Sequence, residues 1–247
     1  MAEFTSAERR LIHELVSHYE KNNGVLRTFL QSLRGQVQSS KILEPYIHSL
    51  SWRMKDPNHL ERKLRRKLRK YKNLGKRFPI TPANLFVKVN DLAGLRVLHL
   101  YTQQVEAIKE GLSGLFEEES YRVIEGPTAR TWDDESRAFF KSIGIKTKKS
   151  PSLYTSVHYV IKPNKKTKYT CEIQVRTLME EVWGQVDHSI NYPEPTKHLG
   201  CHEQLAALAR STSACTRLVD SIFRSHADAE AIKQQLLRSR RSLRKQQ

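Results

Sequence analysis

The chain has 247 residues, with 43 Lys and Arg against 26 Asp and Glu, a net charge of +17. With 38% hydrophobic and 28% charged residues, it can bury a core and is too apolar for a wholly disordered chain. No run of eighteen apolar residues is present, which excludes a membrane-spanning helix.

The opening residues Met1, Ala2, Glu3 and Phe4 lack the basic-then-apolar pattern of a secretion signal. The three scattered cysteines, Cys171, Cys201 and Cys215, have no metal spacing, so a reduced, cytoplasmic protein is expected. The positive charge points to an anionic partner: nucleotide phosphates, nucleic acid or both. Within residues 1–40, Leu11, Ile12, Leu15, Val16 and Tyr19 keep helical spacing. Asn22, Asn23 and Gly24 interrupt it, and Val25, Leu26, Phe29, Leu30, Leu33 and Val37 resume it, which predicts two amphipathic helices. His13 and His18 sit five apart in HELVSH, not four as in the zinc motif HExxH. Their rings diverge by roughly 140°, so no metal is expected there.

Leu50, Trp52 and Met54 then alternate with Ser51, Arg53 and Lys55, a strand with one apolar and one polar face. Asp56-Pro57 is a strong helix start, Asp as N-cap and Pro at the first helical position. That helix is expected to reach residue 71, with Leu60, Leu64 and Leu68 as its buried stripe. Arg62, Lys63, Arg65, Arg66, Lys67, Arg69 and Lys70 fill most of the rest. Thr81-Pro82 opens another short helix. Strands follow over 93–101 and 121–125, and helices over 105–116 and 133–142. Strands over 156–162 and 168–177, joined by Pro163-Asn164-Lys165-Lys166, read as an antiparallel hairpin. A helix over 178–190, a proline-containing loop over 191–195 and a long helical C-terminus complete the chain, which ends in Arg238, Arg240, Arg241, Arg244 and Lys245. There are no internal repeats. The alternation predicts an α+β (mixed) fold, about five strands in a mixed sheet flanked by helices, with helical N- and C-terminal extensions.

The second hairpin strand carries the most chemistry. Period two puts Glu172, Gln174 and Arg176 on one face and Cys171, Ile173 and Val175 on the other, so the Cys171 thiol should enter the core. On the paired strand Tyr154, Ser156 and His158 share a face, and the two sets could line one groove. A solvated sheet face with a salt bridge fits the same pattern. Asp91, just before a strand, sits where a loop can hold a metal, and Gly94 permits close approach of a ligand; Asp there is also ordinary turn chemistry.

Taken together, DLAGLR (91–96), YTSVH (154–158), CEIQVRT (171–177) and the tryptophan-containing helix after them closely resemble the synthetase domain of the RelA/SpoT family. The order, the intervals and the upstream SWRMK-to-LERKL basic segment all match, over roughly residues 45–195. The flanking helices resemble those of small single-domain alarmone synthetases. The resemblance implies a nucleotidyltransferase-like synthetase fold, divided as 1–44 (N-terminal helices), 45–195 (synthetase domain) and 196–247 (helical extension with basic tail). It also implies Mg²⁺-dependent transfer of the β,γ-pyrophosphate of ATP to the 3′-hydroxyl of GDP or GTP. With no counterpart of the family's hydrolase domain, synthesis without hydrolysis is expected.

By resemblance, Asp91 and Glu172 would hold Mg²⁺, and Glu172 would accept the 3′-hydroxyl proton. Arg53, Lys55 and Lys63 match ATP contacts, and Arg96 matches the arginine that stacks on adenine. Tyr154 matches the aromatic that stacks on the acceptor base, with His158, Gln174 and Arg176 lining the same cleft. Two departures stand out: Leu153 where a glycine is usual and His59 where a serine is usual. Both put acceptor identity in question, since some family members are toxins that pyrophosphorylate the 3′ end of tRNA. The basic segment over 62–77 suits that alternative. A catalytically dead RNA-binding module is a third reading, against which the presence of both Asp91 and Glu172 argues. The partners to weigh are therefore ATP with GDP or GTP, then tRNA, an antitoxin and further copies of this chain, with no membrane. His198, Cys201 and His202 could share a helix face but lack a fourth ligand, and the Arg-rich tail reads first as a solvated end.

Overall fold

The computed structural model describes residues 4–150, 152–192 and 194–243, without the side chains of 239–243. Pro193 of the proline-containing loop, and the tail's Arg244 and Lys245, lie outside the described residues, as do the side chains of Arg240 and Arg241. The first two helices are α1 (Ser6–Asn22) and α2 (Gly24–Ser39). Thr5 caps α1 in a capping box with Glu8, satisfying two orphan ends at once. Next comes β1 (Ser49–Met54), then α3 (Pro57–Asn73), whose N-cap Asp56 accepts from His59 N as the Asp-Pro pair predicts. A short helix α4 (Leu85–Lys88) leads to β2 (Ala93–His99), α5 (Gln104–Glu118), β3 (Arg122–Thr131) and α6 (Asp134–Ser142). The chain continues as β4 (Lys146–Lys149), β5 (Ser156–Lys162), β6 (Cys171–Thr177), α7 (Leu178–Asn191) and α8 (Leu199–Leu243).

Six strands, one more than expected, form a single sheet in the order β1-β2-β6-β5-β3-β4. The extra strand is β4, Lys-Thr-Lys-Lys, with no apolar alternation to betray it. It sits at an edge, paired in parallel with β3, and lysines on an edge discourage pairing with another chain. Strand β3 also runs six residues beyond the expected 121–125, through a bulge at Gly126. A side chain at Gly126 would run into the His158 carbonyl, so only glycine lets β3 lie this close beside β5. The hairpin of β5 and β6 is antiparallel as predicted, while β2 and β6 are parallel.

The sheet's two faces separate as the alternation requires. Leu95, Val97, Val157, Tyr159, Ile161, Cys171, Ile173 and Val175 join one buried cluster with Leu26, Leu30 and Leu33 of α2 and Ile108 and Leu112 of α5. The Cys171 thiol is fully buried, as read from the sequence. Strand β1 departs from its expected pattern: Trp52 is 37% exposed, because an edge strand lacks cover on its outer side, while Lys55 at its end is buried. Leu60, Leu64 and Leu68 bury α3 against this core as anticipated.

Candidate active site

The polar face of the sheet is a grid fixed by register. One row runs Ser51–Arg96–Gln174–His158 across four strands, and the next runs Arg53–Gly94–Glu172 across three. Glu172 is thus on the central strand β6, and Gly94 beside it carries no side chain to crowd the groove. Glu172, Gln174, Arg53, Arg96 and Asp91 line one pocket with Gly94.

Glu172 is held at both oxygens. His158 Nδ1 donates to Oε1 at 3.0 Å, and Gln174 Nε2 donates to Oε2 at 2.9 Å. Burial pushes its pKa up and nearby Asp91 adds to that, but the contacts with His158 and Gln174 prevail and hold it below the ordinary glutamate range. The carboxylate is therefore ionised and fixed in direction. The other ring nitrogen of His158, Nε2, is buried and has no hydrogen-bond partner among the described residues.

Asp91 lies in the turn before β2 and is gripped by two lysines. Lys63 Nζ donates to Oδ1 at 2.5 Å and Lys55 Nζ to Oδ2 at 3.2 Å. Burial would raise its pKa, yet Lys63 and then Lys55 draw it down to about 2. Above them, Lys55 Nζ sits 5.6 Å from the Tyr192 ring, and Tyr192 stacks on His188 with centroids 4.4 Å apart and meets His59 edge-on at 4.6 Å. His188 and Tyr192 had no signal in the sequence beyond lying near the end of a helix.

At the other end of the groove, Glu181 binds two arginines. Arg96 Nη1 lies 2.9 Å from its Oε1, and Arg176 Nη2 pairs with Oε2. Glu181 projects from the first turn of α7, which Thr177 caps directly after β6. Sequence reasoning missed it, because an acid in a helix's first turn reads as a complement to the helix dipole. Gly184, one turn further, makes room for the pair: a side chain there would meet Arg176 Nη1 at 2.7 Å. The Arg176 guanidinium carbon lies 5.5 Å from the Tyr154 ring centroid, and Tyr154 Oη donates to Gln174 Oε1 at 3.4 Å.

The loop that carries Tyr154 is tied down behind. Thr155 N donates to Glu180 Oε2 at 3.2 Å, and burial raises the Glu180 pKa to about 7. Leu153 takes a φ of 54°, in the left-handed region that favours glycine, so the departure noted in the sequence falls on a strained position.

All ten sequence-predicted residues thus fall on or beside this face. Arg53, Lys55, Lys63, Asp91 and Glu172 gather toward the β1 side, and Tyr154, His158, Gln174 and Arg176 toward α7. Arg96 lies between them, paired with Glu181. His198, Cys201 and His202 do not assemble a metal site: His198 Nδ1 accepts from Cys201 N at 3.2 Å, and His202 Nε2 contacts Thr196 O at 2.5 Å. Among the described residues no group of three or more His, Cys, Asp or Glu could hold a metal ion. Asp91 and Glu172 line the same pocket, and a pair of carboxylates is a donor set that Mg²⁺ accepts, with waters and substrate phosphate oxygens as its remaining ligands. No described helix is long and apolar enough to cross a membrane.

The profile of the family described as "Region found in RelA / SpoT proteins" matches residues 52–197. Comparison with curated protein sequences gives no match. Among solved structures, small alarmone synthetase 1 from Bacillus subtilis bound to its product pppGpp is similar with a TM-score of 0.59 at 20% identity, over 84% of this chain and 97% of that one. The same protein bound to AMPCPP gives 0.57 at 17% identity, over 85% and 99%. A GTP pyrophosphokinase family protein from Streptococcus pneumoniae gives 0.58 at 20%, over 87% and 98%. At these identities the likeness establishes the fold.

Proposed function

The chain belongs to the RelA/SpoT family, and on that premise we propose that it is a nucleotide pyrophosphokinase moving the β,γ-pyrophosphate of ATP to the 3′-hydroxyl of GDP or GTP. The observation that carries this reading is Glu172: a partly buried, ionised carboxylate aimed by His158 and Gln174 into a groove walled by cations. The structural neighbours that bind an ATP analogue and pppGpp support nucleotide substrates of this kind.

In the reaction the 3′-oxygen attacks the β-phosphorus, the bond between that phosphorus and the α,β-bridging oxygen breaks, and AMP leaves. The hydroxyl proton passes to Glu172. A carboxylate fixed at both oxygens needs no reorientation to receive it, which is the advantage of a preorganised base. Lys55, Lys63 and Arg53 bind the donor phosphates, the two ammonium groups turning from Asp91 to the phosphate oxygens as ATP enters. Asp91 and Glu172 would hold Mg²⁺, which would supply neutralisation of charge on the phosphate oxygens. Tyr154 stacks on the acceptor base, backed by the Arg176 guanidinium.

Glu172→Gln tests the assignment, since it keeps shape and hydrogen bonding and removes the charge. Product formation should fall at least about a hundredfold with thermal unfolding unchanged; near-normal turnover would remove Glu172 from the mechanism.

A second reading, transfer to the 3′ end of tRNA, draws on α3. Arg62, Arg66, Arg69 and Lys70 are exposed on it, and the row starts beside Lys63 at the groove. Lys67, grouped with them in the sequence, turns inward instead and donates to Lys88 O at 3.4 Å.

A further inference from the structure

Helix α8 carries two stripes on opposite sides. The first faces the domain. Leu205, Ala209, Thr212, Ser213 and Asp220 are buried, Asp220 Oδ1 accepts from Thr102 N at 2.6 Å, and Phe223 stacks on Tyr101 with centroids 4.1 Å apart. This stripe stops at Phe223, and every residue over 224–238 is exposed. The second stripe is Leu218, Ile222, Ser225, Ala229, Ile232 and Leu236, spaced four, three, four, three and four. At about 100° per residue it lies roughly 180° from the first. Its large members stand in solvent: Leu218 is 63% exposed, Ile222 58%, Ile232 59% and Leu236 59%.

Helices in proteins draw most of their stability from packing an apolar face, and an apolar seam repeating every 3.5 residues is the pattern of a coiled coil. We propose that residues 218–236 form a parallel two-stranded coiled coil with a second copy of this chain. The charges flanking the seam select both the occupant and its direction. With Ile222, Ala229 and Leu236 at position a and Leu218, Ser225 and Ile232 at d, the g positions are Ser221, Asp228 and Gln235. The e positions are Val219, His226 and Lys233. In a parallel pair each g residue faces the e residue five places on in the other helix, so Asp228 meets Lys233 of the second copy, twice by symmetry. An antiparallel pair would set e against e and g against g, and would leave Asp228 without Lys233 opposite it. Within its own helix Lys233 touches Glu230 at 3.4 Å, a solvent-exposed contact that leaves it able to turn to a stronger partner. Because the domain rides on the far side of the helix, nothing on it obstructs the seam. Ser225 and Ala229, small residues mid-seam, let the two helices approach closely there.

The test uses the full chain. Light scattering should give twice the chain mass of 28.7 kDa, and Ile222→Asp with Ile232→Asp should give the single mass with the domain's unfolding temperature kept. Asp228→Lys alone and Lys233→Asp alone should each weaken association about tenfold, and mixing the two variants should restore it. With Cys201 and Cys215 changed to Ser, Ser225→Cys should yield a reducible dimer on mild oxidation, as facing d positions in a parallel pair allow. A wild-type chain that stays monomeric at about 100 µM would overturn the proposal. So would a dimer that survives Ile222→Asp with Ile232→Asp, or one that Ser225→Cys fails to cross-link.

Discussion

At the β1 end of the groove one carboxylate, Asp91, faces Lys55 and Lys63 with Arg53 lining the same pocket; at the α7 end one carboxylate, Glu181, faces Arg96 and Arg176 beside Tyr154. The ingredients are alike and the results differ. Ammonium groups are compact charges on flexible stems, so Lys55 and Lys63 can leave Asp91 for a stronger anion. Three cations to one carboxylate leave a surplus that suits a polyphosphate. At the other end two planar guanidinium groups bridge Glu181 in a fixed frame, and Arg176 backs an aromatic ring. Such a frame holds a flat ligand in place and adds little net charge. On the proposed reading, charge at one end receives the donor and shape at the other receives the acceptor, across a single sheet face.

Breaking the donor end should cost most. Lys63→Ala removes a charge-assisted contact worth roughly 1.5–3 kcal/mol, so ATP affinity should fall by about 10- to 150-fold in calorimetry. Affinity for the acceptor should hold. Unchanged ATP binding would mean the donor phosphates lie elsewhere. Tyr154→Ala should do the reverse, raising the acceptor KM by a comparable factor for the loss of about 1–3 kcal/mol of stacking while ATP binding holds. A variant that weakened both substrates equally would blur the division between the ends.

The support behind Tyr154 sharpens the comparison through pH. Burial makes Glu180 resist ionisation, with a folded pKa of about 7 against an ordinary value of 4.5. Its contribution to stability is complete below the ordinary carboxylate range and is lost as pH rises through 7. Glu180→Gln keeps an oxygen to accept from Thr155 N, so its unfolding temperature should change less between pH 5 and pH 8 than that of the wild type, as calorimetry would register. Parallel pH profiles would show that Glu180 does not ionise in this range. The smallest effect is expected on α3: charge reversal at Arg62, Arg66 and Lys70 should leave transfer to GDP within about threefold of normal, since a single nucleotide does not extend along the helix.

Much of this groove was legible in the sequence because strand alternation is rigid. Once CEIQVRT and YTSVH pair, period two must put Glu172, Gln174 and His158 together and send Cys171 into the core. Asp56-Pro57 marked the start of α3 for an equally local reason. Elements whose state depends on distant neighbours were missed. Strand β4 has no apolar face and exists because β3 offers it an edge. Trp52 is exposed because β1 has no outer neighbour, a fact of sheet order that period two does not contain. Lys67 turned inward although the charges around it suggested a solvated row. Glu181 needed the meeting of β2, β6 and α7 before two arginines from different strands could share it.

The most direct test of the central claim is to incubate the wild-type chain with γ-labelled ATP and, in separate reactions, GDP, GTP and bulk tRNA. The account predicts labelled product with GDP or GTP, one AMP released for each pyrophosphate transferred, and the label at the 3′ position. Label in tRNA alone, with no guanine-nucleotide product, would contradict it.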